Sequence, residues 1–501
     1  MKKLQLIEFA KQNYLLVLTT IIGAFLRLYH LRSTLIFLGD QGRDASIVRN
    51  LLIHSDLILV GPTTSVGKIQ LGPLYYYFMA PWLWLTGYDP IGPALAVALL
   101  GIITIPVFYF FTKDLFSKQV AIIATFLYSV SDVIIANTRG SWNPNPMPLA
   151  TIILLWALYQ IYQRKKYAYF ILVALSWGVA LQLHYMALLL APVLFIIFAL
   201  TVWQNKKDVK KMSLYIWLGF LVFIILALPL IIFDFRHNFI NYQGFLEFFQ
   251  KGHHSPHNIW TTIKESEGRL QQILGQVLGF EKLRIVRDNL SWLLAIVFTI
   301  YAYFHRKQKS VQLIFIYFIT SLIGFTLYSG DVFEHYMGII FPLPFLLLGI
   351  LLSFLHKQKL LGKFFVVVTI TLIAFWNLKN YRYFKPLGWQ IDDVKQVAAQ
   401  IAADAGGQRF NIALIDSTKD YRGMNYRYFL ETDSANLEDV YEYGTIKLLY
   451  LITDSSFENA IETNTWEVEQ FLNNDSTETA SLIKNTWHFE GGPTVYKLLK
   501  P

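Results

Sequence analysis

Of the 501 residues, 54% are hydrophobic and only 15% charged, against roughly a quarter charged in an ordinary soluble chain, which argues against a soluble globular protein. The net charge of +9 is unevenly divided: from Ile391 onward eighteen acidic residues face nine basic ones, leaving +18 on the preceding chain, so the basic balance reports loops beside a membrane rather than a nucleic-acid surface. The absence of cysteine excludes disulfides, thiolate metal sites and thiol nucleophiles.

Taken in chain order, the first apolar run, residues 13–29, follows Lys2 and Lys3 and carries no small-residue cleavage pattern, so a retained helix is expected. A polar segment follows: Leu38-Gly39-Asp40-Gln41-Gly42-Arg43-Asp44. Asp40 and Asp44 lie one helical turn apart and share a face if Gln41 opens a helix. In the plainer reading Asp40 is the N-cap of that helix. Residues 73–85 are too short to span, contain Pro81 and carry Tyr75, Tyr76, Tyr77, Trp82 and Trp84. They are expected to form an in-plane or re-entrant helix held by an aromatic belt.

Further apolar runs at 91–112, 119–136, 149–162, 212–233 and 363–378, among others, have the length of bilayer crossings and bring the expectation to about eleven spans. Basic clusters fall in alternate loops: Lys113/Lys118, Arg164-Lys165-Lys166, Lys206/Lys207/Lys210/Lys211, Arg306/Lys307/Lys309 and Lys357/Lys359/Lys363. Positive charge is retained in the cytosol, so these loops and the N-terminus are assigned there. Segments 31–90, 137–148, the surroundings of His184, 234–289 and 329–337 then lie outside, with the tail from residue 380. The tail reads as a small α/β domain, with helices at 392–404 and 422–430 and strands at 411–415, 446–453 and 494–499. The expected division is a mainly α transmembrane helix bundle over 1–379 and a soluble domain over 380–501.

The outer segments carry Arg27, Arg32, Arg43, Arg49, Arg139, Arg236, Arg269, Arg284 and Arg287 against the usual charge bias, a pattern that suits an anionic ligand such as a phosphate. Arg43, Lys68, Arg139 and Arg236 are the candidates for that contact. The turn at 137–148, rigid with three prolines, offers Asn143 and Asn145 to sugar hydroxyls. Tyr76, His184, Glu334 and His335 complete the candidate sugar or acceptor contacts; His184 is read either as an interface hydrogen-bonder or as the lining of a wet cavity. His253, His254 and His257 include an i, i+4 pair, but Pro256 forbids a regular helix through them, and the bland reading is a solvated loop.

An acidic residue shortly after helix one, an amphipathic helix, and then Pro73-Leu74-Tyr75-Tyr76 resemble the integral-membrane glycosyltransferases of the GT-C type. The protein mannosyltransferases and the bacterial aminoarabinose and lipopolysaccharide-core transferases are the nearest look-alikes. The resemblance covers roughly residues 10–350 in layout. It implies sugar transfer from a polyprenyl-phosphate donor, at the outer face of the lipid bilayer, to a protein, lipid or glycan acceptor, with Asp40 as the essential acidic residue. A single displacement with Asp40 as general base inverts the anomeric centre. Some relatives bind a divalent metal, but many of them carry an acidic residue and a lysine where this chain reads Ile69-Gln70-Leu71-Gly72, so no cofactor or metal ligand is assigned. The rival readings are a transporter or lipid-linked sugar flippase, and a polysaccharide ligase or polymerase. A transporter is disfavoured by the lack of an internal repeat.

Overall fold

The computed structural model describes residues 8, 11–64, 69–250, 259–328, 330–358, 360–386, 388–416, 422–432, 436–463, 466–472 and 482–500. Six helical stretches among these are long and apolar enough to cross a membrane: Ile91–Leu115, Tyr185–Gln204, Lys206–Arg236, Arg284–Phe304, Lys309–Leu327 and Leu360–Lys379. Four shorter apolar helices, Tyr14–Leu28, Lys118–Val130, Tyr169–Leu183 and Pro342–His356, and Met147–Arg164 lie at other positions where spans were expected. The chain is a multi-pass membrane protein.

In chain order the helices used below are α1 (Tyr14–Leu28), α2 (Gly39–His54), α3 (Leu74–Leu85), α4 (Ile91–Leu115), α5 (Lys118–Val130), α6 (Asp132–Asn137), α7 (Met147–Arg164), α8 (Tyr169–Leu183), α9 (Ala191–Gln204), α10 (Val209–Arg236), α11 (Ile240–Gln250), α12 (Ile259–Leu270), α13 (Arg284–Phe304), α14 (Lys309–Leu327), α15 (Pro342–His356) and α16 (Leu360–Lys379). The spans form because nearly every side chain is apolar, so backbone groups are satisfied internally and neither face prefers water. On α1, Tyr14, Leu18, Ile21 and Phe25 are exposed while Leu16, Thr19, Gly23 and Leu26 are buried, which separates a lipid face from a packing face at helical spacing. At 12 residues, α3 is about 18 Å long, too short for a hydrocarbon core of about 30 Å.

One span differs from the expectation. The run at 119–136 breaks at Ser131, whose extended backbone (φ −64°, ψ 128°) ends α5 and opens α6. Ser131 Oγ accepts from the Ile134 N–H at 3.5 Å, and Asn377 Oδ1 accepts from the Asp132 N–H at 3.0 Å. These polar groups replace the ladder lost at the break. Arg27, fully buried on α1, donates to the Ser129 carbonyl at 3.0 Å and so caps the last turn of α5.

The compact units do not follow chain order. One contains Met1–Tyr29, Leu57–Trp82 and Pro93–Tyr381; the other contains His30–Asp56, Leu83–Gly92 and Arg382–Pro501. The second unit therefore takes in α2 and the 83–92 turn as well as the tail. Its tail elements are α17 (Ile391–Ala405), β1 (Phe410–Ile415), α18 (Met424–Thr432), β2 (Leu448–Thr453), α19 (Phe457–Thr463), α20 (Trp466–Leu472), β3 (Ile483–His488) and β4 (Thr494–Leu499). The sheet order is β1-β2-β4-β3, with β1 and β2 parallel and the other pairs antiparallel. The apolar β1 and β2 are buried at every position, as strands covered on both faces must be. Beneath them Arg427 is buried and donates to Asn411, to the Arg422, Glu438 and Ile412 carbonyls and to Tyr443, so its charge is dispersed over five acceptors.

Candidate functional site

The acidic segment folds as expected in kind, with a correction in detail. Helix α2 begins at Gly39, and Gln41 Oε1 accepts from the Leu38 N–H at 2.7 Å. Asp40 is thus in the first turn rather than the cap, where the positive end of the helix dipole favours its charge. Arg43 sits between the two carboxylates. Its Nη1 bonds Asp40 Oδ1 at 2.8 Å, and its Nε and Nη2 bond Asp44 Oδ1 at 3.0 and 2.8 Å. The two acids differ in access: the Asp40 side chain is 49% exposed and that of Asp44 2%. Asp40 is thus open to solvent, while Asp44 is buried against Arg43.

In the membrane unit, three distant segments meet. Trp142, from the turn after α6, packs against His335 with ring centroids 4.1 Å apart and planes tilted by 43°; His184, at the end of α8, lies 6.1 Å from His335 and 4.6 Å from Tyr336. His184 Nδ1 accepts from the Met186 N–H at 3.2 Å, which leaves the ring proton on Nε2, so the imidazole is a hydrogen-bond donor toward its neighbours. Asn143 Nδ2 donates to the Leu183 carbonyl at 2.6 Å and Asn145 Nδ2 to the Gly140 carbonyl at 2.8 Å. Both asparagines are buried, so they shape the turn and carry Trp142 to its place. Glu334 opens the short 3-10 helix that bears His335. Tyr76 is buried in α3, while its neighbour Tyr75 reaches Ser141 at 2.8 Å.

The arginines divide by environment. Arg139 is buried, and its Nη1 donates to the carbonyls of Leu26 (3.0 Å) and Arg27 (2.8 Å) and its Nη2 to that of Tyr29 (2.9 Å). It caps the C-terminus of α1, where cations are favoured. Arg236 is exposed at the end of α10. The position that sequence reading did not single out is Arg269 on α12. Its Nη1 meets Gln272 at 3.0 Å and its Nη2 the Gly330 carbonyl at 3.3 Å, while its buried Nε has no hydrogen-bond partner among the described residues. Burial holds its pKa below the usual guanidinium value, with Glu265 and Asp331 opposing that shift. Gly330 precedes His335 by five residues, and Tyr328, which interacts electrostatically with Arg269, meets Tyr336 with ring centroids 6.4 Å apart. An arginine near an amphipathic loop helix was the only available signal, and several others shared it.

Lys68, His253, His254 and His257 lie outside the described residues. Among the described residues, no group of three or more His, Cys, Asp or Glu side chains is placed to hold a metal ion, and no chemical step is derived through one.

Residues 70–233 match the model of a family described as dolichyl-phosphate-mannose-protein mannosyltransferase. No curated protein matches the chain by sequence. Among solved structures, the chain is similar to ArnT from Cupriavidus metallidurans in the apo state, at 12% identity and a TM-score of 0.62, covering 97% of this chain and 98% of that one. The same protein bound to undecaprenyl phosphate matches at 13% identity and a TM-score of 0.59, covering 98% and 99%. The oligosaccharyltransferase AglB from Archaeoglobus fulgidus, in complex with an inhibitory peptide and a dolichol-phosphate, matches at 12% identity and a TM-score of 0.56, covering 97% of this chain and 74% of that one. The chain thus shares the fold of these membrane transferases, and its residues 70–233 match the protein mannosyltransferase family model.

Proposed function

We propose that the protein transfers a sugar from a polyprenyl-phosphate donor to an acceptor hydroxyl at the outer face of the membrane, inverting the anomeric centre. The observation that carries the reading is the accessible Asp40 carboxylate, held by Arg43 in the first turn of a helix. The donor class is supported by the similar structures of ArnT bound to undecaprenyl phosphate and of AglB in complex with a dolichol-phosphate. The orientation is supported by the alternation of basic loops.

In the reaction, the acceptor oxygen bonds to the anomeric carbon as the bond from that carbon to the phosphate oxygen breaks. Asp40 takes the hydroxyl proton, and the bonding pair leaves on the phosphate. A phosphate leaves without a strong general acid, but its charge must be met. The outer arginines are the cations of the kind that meets such a charge, and Arg269 keeps an N–H of its guanidinium uncommitted among the described residues. Aromatic side chains and an imidazole N–H, such as those of Trp142, His335 and His184, are groups that sugar rings pack against and bond. Arg139, committed to three carbonyls, is given no phosphate role.

The test is Asp40→Asn in purified protein with a polyprenyl-phosphate sugar donor. Transfer should fall by about 10²–10⁴-fold with donor binding retained, the range for removal of a general base. Full activity of this variant would overturn the assignment. In a strain lacking the protein, unchanged surface glycans beside a lipid-transport defect would instead favour the flippase.

A further inference from the structure

Helix α2 belongs to the same compact unit as the tail, although more than three hundred residues of chain separate them, and the contacts between the two are specific. Gly42 packs on α18 so closely that a Cβ would lie 2.4 Å from the Met424 carbonyl oxygen and 2.6 Å from the Asn425 nitrogen. Both are backbone atoms and cannot swing aside, so no larger residue fits. One turn on, Ser46 Oγ donates to Glu431 at 3.2 Å, and Arg49 Nη2 donates to the Glu431 carbonyl at 3.1 Å. The approach to the helix is held as well. Phe37 packs on Tyr428 and Phe429, its carbonyl accepts from Asn425 Nδ2 at 3.3 Å, and the Leu35 carbonyl accepts from the Ile391 N–H at 2.9 Å. Arg32 forks onto Asp392 at 3.1 and 2.6 Å and also reaches Asp89 at 2.8 Å.

Positions 42, 46 and 49 recur at helical spacing and form one face of α2. At about 100° per residue, Asp40 and Asp44 project from the opposite face, with Arg43 at its edge. The tail holds the back of the helix whose front carries the carboxylates.

We propose that Gly42, Asn425 and Glu431 are positioning residues: the tail sets the rotation and height of α2, and thereby the direction in which Asp40 points. The catalytic half of this proposal rests on the sugar-transfer reading; the mechanical half does not. The consequence is that the tail is a working part of the catalytic apparatus, although its sheet contributes no reacting group.

The test uses the full chain in detergent, with Asn425→Ala and Glu431→Ala read by amide hydrogen exchange and by kinetics. Exchange across Gly39–His54 should rise about tenfold while the amides of β1 and β2 exchange as in the wild type, since a locally released element opens without global unfolding. The kcat should fall about tenfold with the donor KM within twofold, because orientation rather than donor binding is lost. Glu431→Gln, which keeps an acceptor for Ser46, should recover most of both, and it remains readable if the alanine variants do not fold. Unchanged exchange in α2 overturns the proposal, as does raised exchange with unchanged kcat. If the wild type moves no sugar from any polyprenyl donor, the sugar-transfer reading fails, and the exchange data alone decide whether the tail grips the helix.

Discussion

Replacing Arg139 with methionine separates the two roles that an arginine in that turn could have. Its guanidinium donates to the carbonyls of Leu26, Arg27 and Tyr29 at the end of α1. Tyr381 also donates to the Leu26 carbonyl, at 2.9 Å, so that acceptor keeps a partner in the variant and two carbonyls lose this donor. Each buried carbonyl stranded in this way costs about 1–3 kcal/mol, or roughly 2–6 kcal/mol for the pair. Part of this is offset because the variant no longer desolvates a charge, a penalty of several kcal/mol for a buried ion. A net loss of about 1–4 kcal/mol is expected. The assay is thermal or denaturant unfolding in detergent, with donor binding measured on the folded fraction. Arg139→Met should melt earlier and still bind donor; Arg139→Lys, with a single ammonium for three acceptors, should fall between. A variant that melts like the wild type but has lost donor affinity would refute the capping argument and make Arg139 a phosphate ligand.

Three further outcomes are expected. Glu431 has its pKa raised by burial, against the opposing pull of Ser46, Arg49 and Arg427 and with some help from Asp439. Because the folded form binds its proton more tightly than the unfolded form, stability should decline as pH rises above about 4.5, until the folded group has ionised. Glu431→Gln should flatten that decline in a pH series of unfolding midpoints; an unchanged slope would assign the effect elsewhere. Trp142→Ala removes the packing against His335, an interaction of about 0.5–1.5 kcal/mol. It should raise the donor KM about two- to tenfold with kcat little changed, in steady-state kinetics. Arg269→Gln removes a guanidinium whose buried Nε is unbonded among the described residues and should lower kcat more than donor affinity. Loss confined to affinity would place the phosphate elsewhere.

Much of the architecture was legible because bilayer thickness dictates the length of apolar runs, and the six long apolar helices among the described residues follow from it. In the tail, the strand at 494–499 was placed to the residue, and 411–415 and 446–453 were off by one or two. Their mainly apolar sequences leave little choice. Strand β3 was missed because Lys484, Asn485, Thr486 and His488 give it a half-exposed edge pattern that resembles a loop. The break at Ser131 was missed because its partners, Asn377 and the Arg27 guanidinium, are remote in sequence. The same reason divides the site. Asp40, Arg43 and Asp44 are within one turn, so helical spacing alone brings them together. The meeting of Trp142, His184 and His335 depends on how three separate spans pack, which no local pattern encodes. Arg139 stood out in the sequence as a phosphate contact, and the structure has it on three carbonyls, because a guanidinium suits a carbonyl trio and a phosphate equally well.

The interleaved order of the second unit bears on how the protein is made. Residues 30–56 and 83–92 leave the ribosome long before α17, α18 and the sheet that complete their surroundings. Until synthesis ends, Phe37 and the back of α2 lack the surface they rest on. By the same token, a fragment starting near residue 382 would present bare the Tyr428–Phe429 seat for Phe37 and the backbone ledge for Gly42. Such a fragment would tend to self-associate, and the tail is therefore best regarded as a late-arriving keystone rather than a detachable module.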